Sequence, residues 1–362
     1  MPKLETPSHP YLETLKPYQP PDLTAAAARS GLPVEQLVRL NANENPFGPS
    51  PQVAQALADF TAYQFYPDYQ ALREALARYA GVAPEQIVLS NGADELIDLL
   101  IRLFVEPGQA VVVCPPTFGS YRFCAEVNRC CVLPVPRRAD FSLDVAAVEA
   151  AVGASGGEAR LLFLVSPHNP SGRSVPLDTI RRLLALPLMV AVDEAYVEFG
   201  GESAAPLLAD HENLIVMRTF SKWAGLAGLR MGYGLLAPRL AGYVERIHVP
   251  YNVNAAAVVA ALATLDDLES VQANVARIVA ERERLRKELA TLPWLEPLTS
   301  QTNFLLCRIK DHAAQQVADA LVERGILIRT FSGPVMADYV RISVGRPEQN
   351  ERLLAALREV GE

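Results

Sequence analysis

Lys222 lies in the stretch RTFSKWAGLAGLR, behind two hydroxyl residues, Thr219 and Ser221, and eight positions before Arg230. An ammonium group among apolar and small residues loses hydration, so its pKa falls and its neutral, nucleophilic form becomes accessible. The plainer fate of a lysine is to snorkel its amine to the surface. The other residues able to do chemistry share one feature, which is that each follows a short apolar run. Asn91, Gly92, Ala93, Asp94 and Glu95 follow IVLS; Asn169, in PHNPSG, follows LLFLVS; Asp193, Glu194 and Tyr196 follow LMVAV. At the first of these, glycine permits a tight turn, and the free N–H groups of a following helix suit an anion. An ordinary helix start capped by Asp94 would read the same way. Turn chemistry alone accounts equally for Asn169. Asp193, if buried, needs a cationic partner, because an unpaired charge is costly there.

The apolar runs alternate with amphipathic stretches: IVLS with ADELIDLLIRLF, AVVVC with TFGSYRFCAEV, LLFLVS with LDTIRRLL, then LMVAVDEAY and NLIVMRTFS. This rhythm predicts an α/β fold, a mostly parallel sheet sandwiched by helices. Such sheets bind ligands beyond the carboxyl ends of their strands, where all of these side chains fall. A Schiff-base lysine, an acid for a pyridine nitrogen and an anion site are together what pyridoxal phosphate requires. Beyond Pro250 the pattern becomes a long helical region. A smaller α+β unit follows, with strands NFLLCRI, ILIRT and YVRISVG, a helix AAQQVADALVERG and a last helix from Pro347. The expected division is an extended, proline-rich arm over residues 1–30, a large cofactor-binding domain over 31–250 and a small domain over 251–362. Residues 31–50 are candidates for packing on the small domain.

With 362 residues, half of them hydrophobic, the chain has ample material for two cores. A formal net charge of −8 supplies no basic field for nucleic acid or an anionic membrane. Neither an apolar leader nor a membrane-length apolar stretch occurs, so the expected setting is the cytoplasm. Five cysteines without a CxxC pair suggest neither a zinc site nor a disulfide framework, and the histidines lack metal-ligand spacing. Gly232, Gly234 and Ala237 match a dinucleotide-binding pattern, but no strand leads into Gly232 and Pro238 follows at once. A dehydrogenase is therefore not expected.

The residues resemble the fold-type I pyridoxal-phosphate-dependent aminotransferases, and in detail the histidinol-phosphate aminotransferases. The resemblance spans nearly the whole chain through LKPYQP, LNANENPFGP, YPD, SNGADELIDLL, CPPTFGSY, SPHNPSG, VDEAYVEF, RTFSKWAGLAGLRMGYG, PYNVN, TNFLL and VRISVG. It implies that Lys222 forms the Schiff base and shuttles a proton, and that Asp193 holds the pyridine nitrogen protonated. Asn169 and Tyr196 would bond the ring oxygen. The phosphate would lie on the backbone at Ala93 and Asp94, clamped by Ser221 and Arg230 with Thr219 contributing, while the Asp94 carboxylate points away. Phe118 stands where the family usually stacks a tyrosine on the ring, which keeps the stacking and removes a phenol. Tyr66 resembles the tyrosine that reaches the phosphate from a neighbouring subunit, which implies a homodimer.

For the substrates, the resemblance implies histidinol phosphate and 2-oxoglutarate or glutamate, with Arg329 and Arg341 as anion binders. Tyr18 would close the site, Asn43 would contact substrate and Asn303 would support Arg341. An aromatic amino acid aminotransferase and a threonine-phosphate decarboxylase are the alternatives on the same fold. A non-catalytic ligand sensor would need an added DNA-binding segment, for which the arm is too short and too rich in proline.

Overall fold

The computed structural model describes residues 10–15 and 22–361, so Tyr18 lies outside the described residues. Twelve strands form among them: β1 (Val38–Leu40), β2 (Ile87–Ser90), β3 (Ala110–Val113), β4 (Cys131–Pro134), β5 (Ala159–Val165), β6 (Met189–Asp193), β7 (Leu214–Thr219), β8 (Gly232–Leu236), β9 (Leu295–Pro297), β10 (Phe304–Ile309), β11 (Ile326–Thr330) and β12 (Tyr339–Ser343). A seven-stranded sheet has the order β2-β8-β7-β6-β5-β3-β4. Its run from β7 to β4 is parallel, and β8 is antiparallel to both of its neighbours.

Alternate residues of the central strands feed two cores. Leu162, Leu164, Val190, Val192 and Val216 face one helical layer, with Leu72, Leu76, Ile180 and Leu183. Leu161, Phe163, Ala191, Ile215 and Met217 face the other, with Leu96, Leu100, Tyr121 and Val244. Burial on both faces is why these strands read as unbroken apolar runs instead of alternating ones. The predicted sandwich is thus the observed architecture.

The smaller sheet has the order β1-β11-β12-β10-β9, with β1 parallel to β11 and the other pairs antiparallel. Its third core gathers Leu305, Ile342, Leu321, Leu353 and Leu357. Helix Leu268–Leu289 spans both units, burying Val271, Val275 and Ile278 with the large sheet and Leu285 and Leu289 with the small one.

Packing crosses the expected segment boundaries at both ends. Residues 23–30 form a helix instead of an extended arm. Asp22 caps it by accepting from the Ala25 N–H at 2.9 Å, the alanine run favours helix, and Gly31 ends it with a left-handed backbone. Ala26 of that helix packs with Leu37 and Leu327 of the smaller unit. Val38–Leu40 is a strand of the small sheet, whereas Ala257, Val258, Ala260 and Ala261 of helix Ala255–Asp266 belong to the core of the large one. No helix among the described residues is long and apolar enough to cross a membrane.

Candidate active site

The ends of β2, β5, β6 and β7 and the face of β12 converge on one region. Strand alternation separates the two carboxylates at the end of β6. Asp193 continues the face of Ala191 and meets Tyr121, whose hydroxyl donates to Oδ2 at 2.5 Å, while the Ala195 N–H donates to Oδ1 at 3.0 Å. Burial pushes the Asp193 carboxyl up to about 6, against these two hydrogen bonds. The expected cation goes to the neighbouring carboxylate. Glu194 accepts from Arg218 at 3.0 Å, and from Ser203 and the Ala204 N–H. Removing either member of that buried pair would strand a charge at a cost of ~3–5 kcal/mol, so Glu194 and Arg218 are structural. Tyr121 escaped notice in the sequence because only the fold shows that its helix, Gly119–Val127, aims the phenol at Asp193.

Lys222 sits on a tightly held turn beyond β7. Trp223 stacks on Tyr79 at 5.5 Å and leans on Phe220, and Asn45 Nδ2 donates to the Trp223 carbonyl at 2.8 Å. At Gly225, with φ +72°, a Cβ would meet the Gly48 carbonyl carbon at 2.5 Å, so this close approach needs glycine. The Lys222 amine turns inward and donates to the Ala42 carbonyl at 3.1 Å. Loss of hydration, helped by the charge of Arg341, brings its pKa down to about 8. It is not a snorkelling surface lysine.

A polar cluster borders the start of helix Ala93–Phe104. Thr219 Oγ1 donates to Ser221 Oγ at 3.0 Å and accepts from the Ser221 N–H. Arg230 donates to Ser221 Oγ at 3.4 Å and pairs with Asp94 at 3.0 Å. The Asp94 carboxylate therefore turns towards the arginine and does not point away, because the guanidinium attracts it. A Cβ on Gly92 would meet that guanidinium at 2.5 Å. One on Gly232 would meet the Gly92 carbonyl carbon at 2.7 Å, so the glycines of the dinucleotide-like pattern let β8 approach this turn. Backbone N–H groups, two hydroxyls and an arginine are thus assembled where an oxyanion would be favoured.

Arg341 donates to Asn169 Oδ1 at 2.7 Å and to the Asn41 carbonyl at 2.9 Å, and its guanidinium lies 5.2 Å from the Phe304 ring centroid. Its direct cross-strand neighbour is Arg329. Two like charges in that position repel. Arg329 makes no side-chain hydrogen bond or ion pair with the described residues. Tyr196, at the edge of the same region, accepts from Asn43 Nδ2 at 2.9 Å and meets Phe304 edge-on. Asn303 donates to the Asn43 carbonyl rather than supporting Arg341. Phe118 caps the helix that bears Tyr121 and packs edge-on against it at 5.6 Å. Tyr66 lies apart from these groups, 77% exposed and stacked on Tyr251 at 4.2 Å.

The chain matches known proteins over nearly its whole length. The model of the class I and II aminotransferases matches residues 35–357. A histidinol-phosphate aminotransferase of Roseiflexus castenholzii is 49% identical, with 97% of each chain covered. The chloroplastic histidinol-phosphate aminotransferase of Nicotiana tabacum is 44% identical over 96% of this chain and 85% of its own. Among solved structures, histidinol-phosphate aminotransferase from Sinorhizobium meliloti, in complex with pyridoxal-5'-phosphate, superposes with a TM-score of 0.90 at 31% identity, covering 98% of both chains.

Proposed function

The chain belongs to the class I and II aminotransferases, among the histidinol-phosphate aminotransferases, and on that premise we propose that it transfers the amino group of L-histidinol phosphate to 2-oxoglutarate. The products are imidazole acetol phosphate and L-glutamate, in a step of histidine biosynthesis. The observation that carries this reading is the cross-strand pair of Arg329 and Arg341. Like charges in that register repel, an anion bound at both relieves the repulsion, and the planar guanidinium meets a phosphate or a carboxylate with paired donors. One site of this kind serves the phosphate of the first substrate and a carboxylate of the second.

The donor set fits pyridoxal phosphate: a lysine with an amine pKa of about 8, a buried acid, and an oxyanion cradle at a helix start from which Gly92 withholds a Cβ. When bound, pyridoxal phosphate supplies the electron sink and carries the amino group between the two substrates. Ser221, Thr219, Arg230 and the backbone at Ala93 and Asp94 would hold its phosphate. Asp193 would hold a proton on the pyridine nitrogen, Phe118 would cover the ring, and Asn169 and Tyr196 would meet the ring oxygen. Lys222 would attach the cofactor, and its freed amine would move the substrate's α-proton.

Tyr66 supports a homodimer. It stacks on Tyr251, and Tyr63, Phe65 and Val249, near these two in sequence, are also exposed large apolar side chains of the kind that ordinarily have a partner. In a second copy of the chain, Tyr66 would extend towards the neighbouring phosphate cradle.

Steady-state turnover tests the substrate assignment. Histidinol phosphate with 2-oxoglutarate should give a kcat/KM far above that with phenylalanine or tyrosine, and threonine phosphate should release no carbon dioxide. Preference for an aromatic amino acid, or decarboxylation, would replace the reading by one of its two relatives.

A further inference from the structure

Three consecutive residues after β1 each touch a different group of the site. The Asn41 carbonyl accepts from Arg341, the Ala42 carbonyl from Lys222, and Asn43 Nδ2 donates to the Tyr196 oxygen. Arg341 and Ser343 share one face of β12 and grip the two ends of this segment. Ser343 Oγ receives the Asn43 N–H at 2.9 Å and donates to Asn43 Oδ1 at 3.0 Å. Asn303 Nδ2 donates to the Asn43 carbonyl at 2.9 Å, holding a residue whose φ is +54°. Asn43 is 1% exposed.

These bonds form a closed, self-consistent arrangement. Ser343 Oγ accepts the Asn43 N–H and gives its own hydrogen to Oδ1, an assignment that turns the amide NH2 towards Tyr196. Tyr196 must then accept from Asn43, so the phenol hydrogen points elsewhere. The enclosed side chain is not placed to be the substrate contact expected from the sequence.

We propose that Asn43 is a positioning residue that acts through Tyr196, fixing the phenol as a hydrogen-bond donor to the ring oxygen of the bound cofactor and strengthening it in that role. A donor into the phenol oxygen makes the O–H more acidic, and with it a better donor. Burial raises the Tyr196 pKa, while Arg341 and the Asn43 bond oppose the rise. This inference rests on the assignment of Tyr196 to the cofactor's ring oxygen.

The test is a pH titration of the absorbance of bound cofactor in the holoenzyme. Asn43→Gly suits the positive φ and should raise the apparent pKa by ~0.5 unit, as expected for losing one hydrogen bond in a chain. Ser343→Ala, which frees the amide to flip, should shift it in the same direction by less. In a Tyr196→Phe background Asn43→Gly should add nothing, since the effect passes through the phenol. For Asn43→Gly alone, kcat should fall with KM for histidinol phosphate nearly unchanged. An unshifted titration with a raised KM would make Asn43 a substrate ligand and overturn the inference. Equal shifts with and without the phenol would reduce it to general loosening of the site, which also overturns it. A wild-type protein showing no cofactor absorbance would sink the cofactor reading and the inference together, whereas a normal wild-type band with an unmoved Asn43→Gly titration would sink the inference alone.

Discussion

Asp193, the proposed partner of the cofactor's ring nitrogen, works against stability because its carboxyl is buried. Its folded-state pKa of about 6 lies above the ordinary aspartate value, so between about pH 4 and 6 the folded protein binds the extra proton. Its contribution to stability therefore falls as pH rises through that window, and the cost is complete above about 6. Asp193→Asn should remove the cost. At pH 8 the cofactor-free variant is expected to melt ~3 °C higher by calorimetry, with the difference vanishing below about pH 4, while turnover drops ~100-fold or more. A lower melting point at pH 8 would mean that the Tyr121 bond outweighs desolvation. The position of Asp193 was legible from its place after LMVAV. Its partners were not, because the choice between Asp193 and Glu194 for the cation depends on which face of β7 carries Arg218.

At the scale of elements, β8 explains the glycines of MGYGLL. Gly232 and Gly234 let an antiparallel strand lie against the first turns of helix Ala93–Phe104, where Cβ atoms would meet Gly92 and Leu96. Gly232→Ala should push the anion-binding turn outward. The expected result is a chain that stays folded by circular dichroism and binds pyridoxal phosphate ~10-fold more weakly or worse, about 1.4 kcal/mol, in an absorbance titration. Unchanged affinity would separate this strand from the cradle. The strands after IVLS, LLFLVS, LMVAV and NLIVM could be read because burial on both faces makes them continuous and apolar. β1 and helix Leu23–Ser30 could not: three residues carry no period, and the alanine-rich helix follows a run of prolines that reads as an arm.

For the whole molecule, the proposed homodimer sets a second copy against the exposed aromatic side chains around Tyr66. Light scattering should give twice the chain mass, and charged substitutions at Tyr63 and Phe65 should halve it and lower cofactor affinity together. A wild-type monomer that binds cofactor fully would remove Tyr66 from the site. The two-unit organisation was largely legible in the sequence, and so was the convergence of Lys222, Asp193 and the SNGAD turn at strand ends. The pairing of Arg329 with Arg341 was not, since they lie twelve positions apart and only the register of β11 on β12 sets them face to face.

If that pair of arginines reads the substrate's phosphate, the difference between histidinol phosphate and dephosphorylated histidinol depends on it. In the wild-type protein kcat/KM should favour the phosphorylated substrate strongly. Arg329→Gln should cut that preference ~100-fold, since loss of a paired charge-assisted contact costs ~3 kcal/mol, with cofactor absorbance unchanged. A preference that survives Arg329→Gln intact would show that the phosphate is read elsewhere and would contradict the account.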